Sequence, residues 1–177
     1  MNSEAPLSIR LARPTERCRE SFLRALGEFQ EEALPWHVAV DRAILERDFG
    51  AVVAAKLAEE SRRTETLVPA SHYWALASGD EFVGRITIRH ELNDALRIEG
   101  GHIGYDTAPS SRGRGVATEM LRQALPLARG LGLSMVLLTC DDTNAASIRV
   151  IEKNGGRLER TATIAPERRK RYYWIDL

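Results

Sequence analysis

Cysteine, lysine and net charge are all scarce in this chain. Only two cysteines occur in 177 residues, Cys18 and Cys140, far apart and in no Cys-x-x-Cys or metal-ligand spacing. Neither a disulfide framework nor a thiolate metal site can be read from that pattern, and reduced thiols in a cytoplasmic protein are expected. The 25 basic and 25 acidic residues cancel to a formal charge of +0, so no global field draws nucleic acid or an acidic membrane surface. Lysine supplies only Lys56, Lys153 and Lys170, an arginine preference that reads as genome bias rather than a phosphate-binding surface. No apolar run approaches ~20 residues, so no membrane span is expected. The start, Met-Asn-Ser-Glu-Ala-Pro, lacks the basic and apolar segments of a signal peptide. Repeats, low-complexity tracts and long linkers are missing too. What remains, 44% hydrophobic and 28% charged residues, is ordinary for a folded protein, and a single domain over residues 1–177 is expected.

Ser8-Ile-Arg-Leu-Ala-Arg alternates like a first strand and stops at Pro14. From Thr15, an N-cap, Phe22, Leu23, Leu26 and Phe29 fall at helical spacing. Asp41 caps a second helix whose stripe is Ile44, Leu45, Phe49, Val52, Val53 and Leu57. His72–Ser78 and Phe82–Ile88 then read as an antiparallel hairpin about Gly79-Asp80-Glu81. The polar stretch Glu91–Gly101 precedes a strand at His102–Thr107. Ala117, Met120, Leu121, Ala124, Leu125 and Ala128 define an amphipathic helix, in which Pro126 removes the bond to the Arg122 carbonyl. Ser134–Thr139 is a buried-type strand. A helix from Ala145 to Lys153 ends at Asn154-Gly155, and two strands near Arg157–Ile164 and Arg171–Leu177 close the chain. The order β-α-α-β-β-β-α-β-α-β-β is that of an α/β sheet of mixed direction with helices on its faces.

Ser111-Arg-Gly-Arg-Gly-Val-Ala117 is a glycine-bearing turn that leaves a strand and opens a helix. Such a turn presents free backbone N–H groups at the positive end of a helix dipole, an anion site most often used for phosphate. Its spacing is neither the dinucleotide Gly-x-Gly-x-x-Gly nor a P-loop, since no Gly-Lys-Ser/Thr follows. Arg112-x-x-Gly115-x-Ala117 matches Arg/Gln-x-x-Gly-x-Gly/Ala. With Gly104-Tyr-Asp-Thr-Ala-Pro109 before it and Asn144-Ala-Ala-Ser147…Glu152-Lys153-Asn-Gly155 after it, the chain resembles the GNAT superfamily of N-acetyltransferases over nearly its whole length. Arg89-His90-Glu-Leu-Asn93 and Gly100-Gly-His-Ile-Gly-Tyr105 are similar to a bacterial subgroup of uncharacterised predicted acetyltransferases.

The resemblance implies a GNAT-type mixed, mostly antiparallel sheet flanked by helices, and acetyl-CoA as cosubstrate with no metal. Backbone N–H groups of Arg112, Gly113, Arg114, Gly115, Val116 and Ala117 would hold the coenzyme A pyrophosphate, with Thr118 as a hydroxyl donor. The strand ending Tyr105, Asp106, Thr107 would splay from its neighbour and pair with pantetheine, an N–H near Tyr105 facing the thioester oxygen. Asn144 would bond main chain or pantetheine, or simply cap its helix. Two departures from the family pattern concern proton transfer. Ile151 stands where many members carry a tyrosine that protonates the thiolate, which leaves Ser147 as substitute donor or as a serine that only caps or packs. Gly101 and Ile103 occupy strand positions where members often carry a Glu or His base.

The bases that remain are Glu99, His90, His102 and Asp106. Strand alternation favours Glu99 if the strand continues past Gly100, and intrinsic pKa favours His90. His102 should face the other way, as a core or surface histidine. A water relay with no dedicated base stands beside them. Cys140 reads as a small core residue. Arg168-Arg-Lys-Arg171 could meet the 3′-phosphate of coenzyme A or an acidic substrate, or be a solvated strand edge, and Glu31, Glu32, Trp36 and His37 could line the acceptor pocket. The expected reaction is direct attack by an amine-bearing small molecule, peptide or protein in a ternary complex. A peptide N-terminus, lysine, polyamine, aminoglycoside or amino acid all fit. The alternative is a non-catalytic coenzyme A-binding sensor or scaffold. Many members dimerise, so a homodimer is open, although no stripe specifies an interface.

Overall fold

The computed structural model describes residues 6–32 and 42–177. Its strands are β1 (Arg10–Ala12), β2 (Ala70–Leu76), β3 (Phe82–Arg89), β4 (Ile103–Thr107), β5 (Met135–Asp141), β6 (Arg157–Ala165) and β7 (Arg168–Asp176). Its helices are α1 (Arg19–Glu31), α2 (Arg42–Arg47), α3 (Phe49–Ala58), α4 (Asp94–Ile98), α5 (Val116–Gly130) and α6 (Ala145–Lys153). The strands form two sheets, ordered β1-β2-β3-β4 and β5-β7-β6, and every ladder in them is antiparallel. No helix among the described residues is long and apolar enough to cross a membrane.

Both faces of the four-stranded sheet are covered, because its strands alternate two apolar sets. Ala75, Ile86, Ile88 and Ile103 pack with Val116, Met120, Leu121, Ala124 and Ala128 of α5 and with Val136, Leu138 and Tyr173 of the second sheet. Trp74, Leu76 and Phe82 pack on the other side with Leu23, Leu26 and Phe29 of α1 and with Phe49 and Val53 of α3. The stripe on α5 is thus the one its spacing predicts, and the helix continues through Pro126 to Gly130.

Two stretches differ from the sequence reading. The helix expected over Ile44–Leu57 is two helices, because Asp48 leaves helical geometry (φ −147°) and accepts the Ala51 N–H at 2.9 Å. A short carboxylate that can bond the main chain ahead of it starts a helix more readily than it continues one. Its upstream half carries the stripe only in part, since Leu45 is buried but Ile44 is exposed. The expected cap Asp41 lies outside the described residues. The polar stretch Glu91–Gly101 holds α4, capped by Asn93, whose Oδ1 accepts the Leu96 N–H at 2.9 Å. A helix of five residues is too short to carry a readable period.

The two sheets meet at one place. Gly101 bridges Leu138, His102 donates its N–H to the Leu137 carbonyl at 2.7 Å, and the Leu137 N–H returns a bond to His102 Nδ1 at 2.8 Å. The approach is so close that a Cβ on Gly101 would lie 2.3 Å from the Leu137 carbonyl oxygen, and φ at Gly101 is +66°. Gly101→Ala is therefore expected to cost at least about 2 kcal/mol, from a steric clash added to a left-handed backbone, seen as a lower urea midpoint at unchanged m-value.

His102 is buried, and that burial, helped by Arg97 and Arg89, brings its imidazole down from 6.5 to about 4. A base depressed on folding contributes stability that is present above pH 6.5 and is lost as pH falls through about 4. Urea titrations at pH 7 and pH 4 should show a loss of up to about 3 kcal/mol from this residue, and the His102→Gln variant should lack that share of the loss.

Candidate active site

Beyond the Gly101–Leu138 bridge, β4 and β5 share no ladder among the described residues, and the register shows which groups line the gap. Arg89 N–H bonds His102 O and Ala108 N–H bonds Val83 O. With Thr87 opposite Gly104 and Arg85 opposite Asp106, antiparallel alternation turns Gly104 and Asp106 to β3. The main-chain groups of Ile103, Tyr105 and Thr107 therefore face away from β3, toward the gap. On β5, Leu177 N–H bonds Ser134 O and Asp142 N–H bonds Arg169 O, so the same alternation turns Thr139 and Asp141 toward the gap from the other side. The Thr107 hydroxyl is buried with no hydrogen-bond partner among the described residues.

The glycine loop stands at the end of β4. Gly113 and Gly115 have φ of +76° and +79°, and a Cβ at either would meet nothing within 4 Å. The requirement for glycine here is thus conformational rather than steric. Gly115 is the N-cap of α5 and has no side chain to cap with, so the first-turn N–H groups at Val116, Ala117 and Thr118 have no side-chain cap. Arg112 does not point into the loop: it bonds Glu32 at 2.8 Å and the Thr107 carbonyl at 3.3 Å. Arg114, Gly115, Thr118 and Lys153 line a cavity of about 430 Å³ beside Pro6–Ile9.

A larger cavity of about 700 Å³ joins the gap to the polar face of β2, β3 and β4. Tyr105, Ser147, Ile151 and Leu138 bound its gap end; Glu59, His72, Arg85, Thr87 and Arg89 bound the other. The Tyr105 hydroxyl reaches α6 and donates to the Ser147 carbonyl at 3.5 Å. Burial raises its pKa well above that of a free phenol, so it remains protonated. Asn144 caps α6 by accepting the Ser147 N–H at 3.0 Å, and Ile151 is buried in the apolar core.

The residues expected to move a proton separate in space. Glu99 lines the cavity, but by a different route from the one expected. The strand does not extend back to it, because α4 ends there and Gly100 (φ +116°) and Gly101 turn the chain. Its carboxylate meets Arg168 at 2.7 Å and Lys170 at 3.0 Å. Burial raises its pKa, but the bonds and charges of Lys170 and Arg168 outweigh that and leave it lowered. His90 is not among the cavity residues; its Nε2 meets the Ser71 hydroxyl at 2.8 Å, which in turn donates to Glu60 at 2.7 Å. His102 is committed to Leu137. Asp106 lines the cavity and accepts from Arg85 at 3.1 Å; burial raises its pKa, partly offset by that guanidinium. Arg169 lies 3.7 Å from Asp142, and Lys170 also meets Asp141 at 2.9 Å, so Arg168, Arg169 and Lys170 serve nearby carboxylates, while Arg171 donates to the Tyr173 hydroxyl at 3.5 Å. Burial raises the Cys140 thiol to about 11. Trp36 and His37 lie outside the described residues.

What the sequence reading missed is a relay on the cavity wall. His72 Nε2 lies 2.6 Å from Glu59, and His72 Nδ1 lies 3.0 Å from the Thr87 hydroxyl. The hydrogen bond from His72, stronger than the opposing effect of burial and helped by Lys56, holds the Glu59 carboxyl at about 2. A carboxylate can only accept, so Nε2 carries the proton and Nδ1 accepts from Thr87 when the imidazole is neutral. The one signal in the sequence was the hairpin itself: its register sets His72 opposite Thr87. Glu59 comes from the end of α3, and no spacing rule links it to β2.

Comparison with known proteins follows this geometry. Residues 13–157 match the acetyltransferase (GNAT) domain family. No curated protein matches the sequence. Among solved structures, the microcin C7 self-immunity acetyltransferase MccE, in complex with acetyl-CoA and AMP, is similar at 14% identity and TM-score 0.70, over 96% of this chain and 92% of that one. The ribosomal L7/L12 α-N-protein acetyltransferase RimL, with coenzyme A, is similar at 16% identity and TM-score 0.68, over 99% and 97%. The aminoglycoside acetyltransferase AAC(6′)-Ib, with coenzyme A, is similar at 21% identity and TM-score 0.65, over 96% and 95%. These identities speak for the fold, and the family match covers most of the chain. The antiparallel sheets, the gap between β4 and β5 and the glycine-capped helix beside it are therefore those of an acetyltransferase: the chain belongs to the GNAT family.

Proposed function

We propose that the protein moves an acetyl group from acetyl-CoA to an amine by direct attack in a ternary complex. The observation that carries this reading is one continuous cavity joining the main-chain edge at Tyr105 to the Thr87–His72–Glu59 relay. Coenzyme A complexes of the similar structures support the donor, and so do two features of this chain. The first turn of α5 offers Val116, Ala117 and Thr118 N–H groups, with those of Gly113, Arg114 and Gly115, to a pyrophosphate. Tyr105 and Thr107 offer an unpaired strand edge to pantetheine, and Thr107 has a buried hydroxyl to satisfy. The donor supplies the thioester carbonyl, and the residues around it do the rest.

A lysine-type ammonium ionises near ~10.4, so the acceptor must give up a proton at neutral pH. Thr87 accepts a proton from the acceptor nitrogen as its own hydroxyl proton passes to His72 Nδ1. Glu59, held as a carboxylate, stabilises the imidazolium that results. The Tyr105 N–H faces the developing oxyanion, and the Tyr105 phenol and Ser147 hydroxyl stand at the gap where the thiolate leaves. Asn144 fixes the first turn of α6 and with it the position of Ser147. Glu99 and His90, engaged by cations and by Ser71, are assigned no proton transfer in this scheme.

Release of free thiol from acetyl-CoA in the presence of a panel of amines tests this reading. His72→Ala should lower kcat by about 10²–10⁴-fold while coenzyme A affinity, measured by calorimetry, stays as in the wild type. Full activity in that variant would remove His72 from the chemistry. Gly115→Glu, which puts a carboxylate and a strained backbone at the anion cradle, should weaken coenzyme A binding by at least about 10-fold; unchanged affinity would contradict the cradle. Wild-type protein that binds coenzyme A but releases no thiol with any amine would be a sensor, not an enzyme.

A further inference from the structure

The charges around the large cavity pair off with one exception. Glu59 meets His72 and Lys56, Glu99 meets Arg168 and Lys170, and Asp106 meets Arg85. Arg89 has no carboxylate partner among the described residues. Its Nη1 bonds the carbonyls of Gly101 at 3.1 Å and Gly100 at 3.5 Å, while Nε and Nη2 have no acceptor among the described residues. The guanidinium is half-buried at the cavity wall, and burial is what lowers its pKa. Gly100 and Gly104 lie beside it, since a Cβ on either would be in ordinary contact with it at 3.6 Å. A partly desolvated cation with a free fork of donors and no counter-charge is unfavourable unless a ligand provides one. The fork matches a carboxylate.

We infer that Arg89 receives a carboxylate on the acceptor, and that the acceptor is an amino acid or a similarly short amino-carboxylate. The inference rests on the acetyl-transfer reading for its placement of the amine. Thr87 and Arg89 are two residues apart on β3, so their side chains project from the same face with backbones roughly 7 Å apart. An amino group and a carboxylate on one carbon, each one hydrogen bond from its side chain, span about that distance. The amine then meets the Thr87–His72 relay while the carboxylate sits in the Arg89 fork. A polyamine or aminoglycoside would instead bring further positive charge against Arg89, which selects against it.

The test is calorimetry on the protein–coenzyme A complex, with α-amino acids and dipeptides as probes beside the carboxamide of each. The wild type should bind its preferred acid about 10- to 100-fold more tightly than the matching carboxamide. Arg89→Met should bring that ratio to about 1, and Arg89→Lys should recover part of it; a purely structural role would weaken acid and amide alike. Equal binding of acid and amide by the wild type, a preference that survives in Arg89→Met, or no binding of any acid would each overturn the assignment. The wild-type comparison alone decides the matter if Arg89→Met does not fold. Thiol release with an amine that lacks a carboxylate, at the same efficiency, would sink this inference and leave acetyl transfer standing. A persistent acid preference with no thiol release from any probe would do the reverse.

Discussion

His102 gives its main-chain N–H to Leu137 and takes the Leu137 N–H on its ring, and beyond this reciprocal pair β4 and β5 form no ladder. The rest of the site depends on that contact. It pins the two sheets together at one end, so that the strands can part at the other without loss of the core that Leu138, Ile103 and α5 share. The contact needs a neutral imidazole in a buried place and a residue with no side chain beside it, because the Leu137 carbonyl occupies the space a Cβ on Gly101 would take. The parting exposes the main-chain edge at Tyr105 and Thr107, and an exposed edge in a buried place has to be paired by something.

The same contact explains why a base is missing from the usual strand positions. Gly101 cannot carry a carboxylate because it is the point of closest approach between the sheets, and Ile103 cannot because it is in the core. In the proposed scheme proton transfer lies one strand pair over, where His72 and Thr87 are cross-strand partners on β2 and β3 and α3 brings Glu59 to them. Along the second half of β3 the two sides follow a single alternation. Ile86 and Ile88 hold α5, and the residues between and beside them, Arg85, Thr87 and Arg89, line the cavity. The packing of the core therefore fixes the direction of the side chains that line the cavity.

Much of this was legible in the residues. The α5 stripe, the α6 boundaries at Ala145 and Lys153, the hairpin and the glycine cap at residue 115 all follow from local rules of period, turn and cap. α4 was not legible, because a helix of five residues held by Asn93 is too short for a period, and neither was the break at Asp48, where a local hydrogen bond overrides a continuous stripe. Strand alternation reaches Glu99 only if it runs past Gly100 and Gly101, and it stops there because both are in positive-φ geometry. His90 has the side-chain chemistry of a base, but it meets Ser71 and is not among the cavity residues. A residue type can be read from the chain, but the company it keeps depends on register.

The sequence by itself determined the family and the run of strand, glycine loop and helix from β4 into α5, because each of these depends on residues within a few positions of one another. Only the tertiary structure decided which side chains share the cavity wall, and that Arg89 meets no carboxylate among the described residues. Glu59 and His72 are brought together by the end of α3 crossing β2. The lack of a carboxylate beside Arg89 among the described residues is a property of the space around it, not of its neighbours along the chain. Local hydrogen-bonding rules act along the chain, whereas electrostatic pairing acts through space.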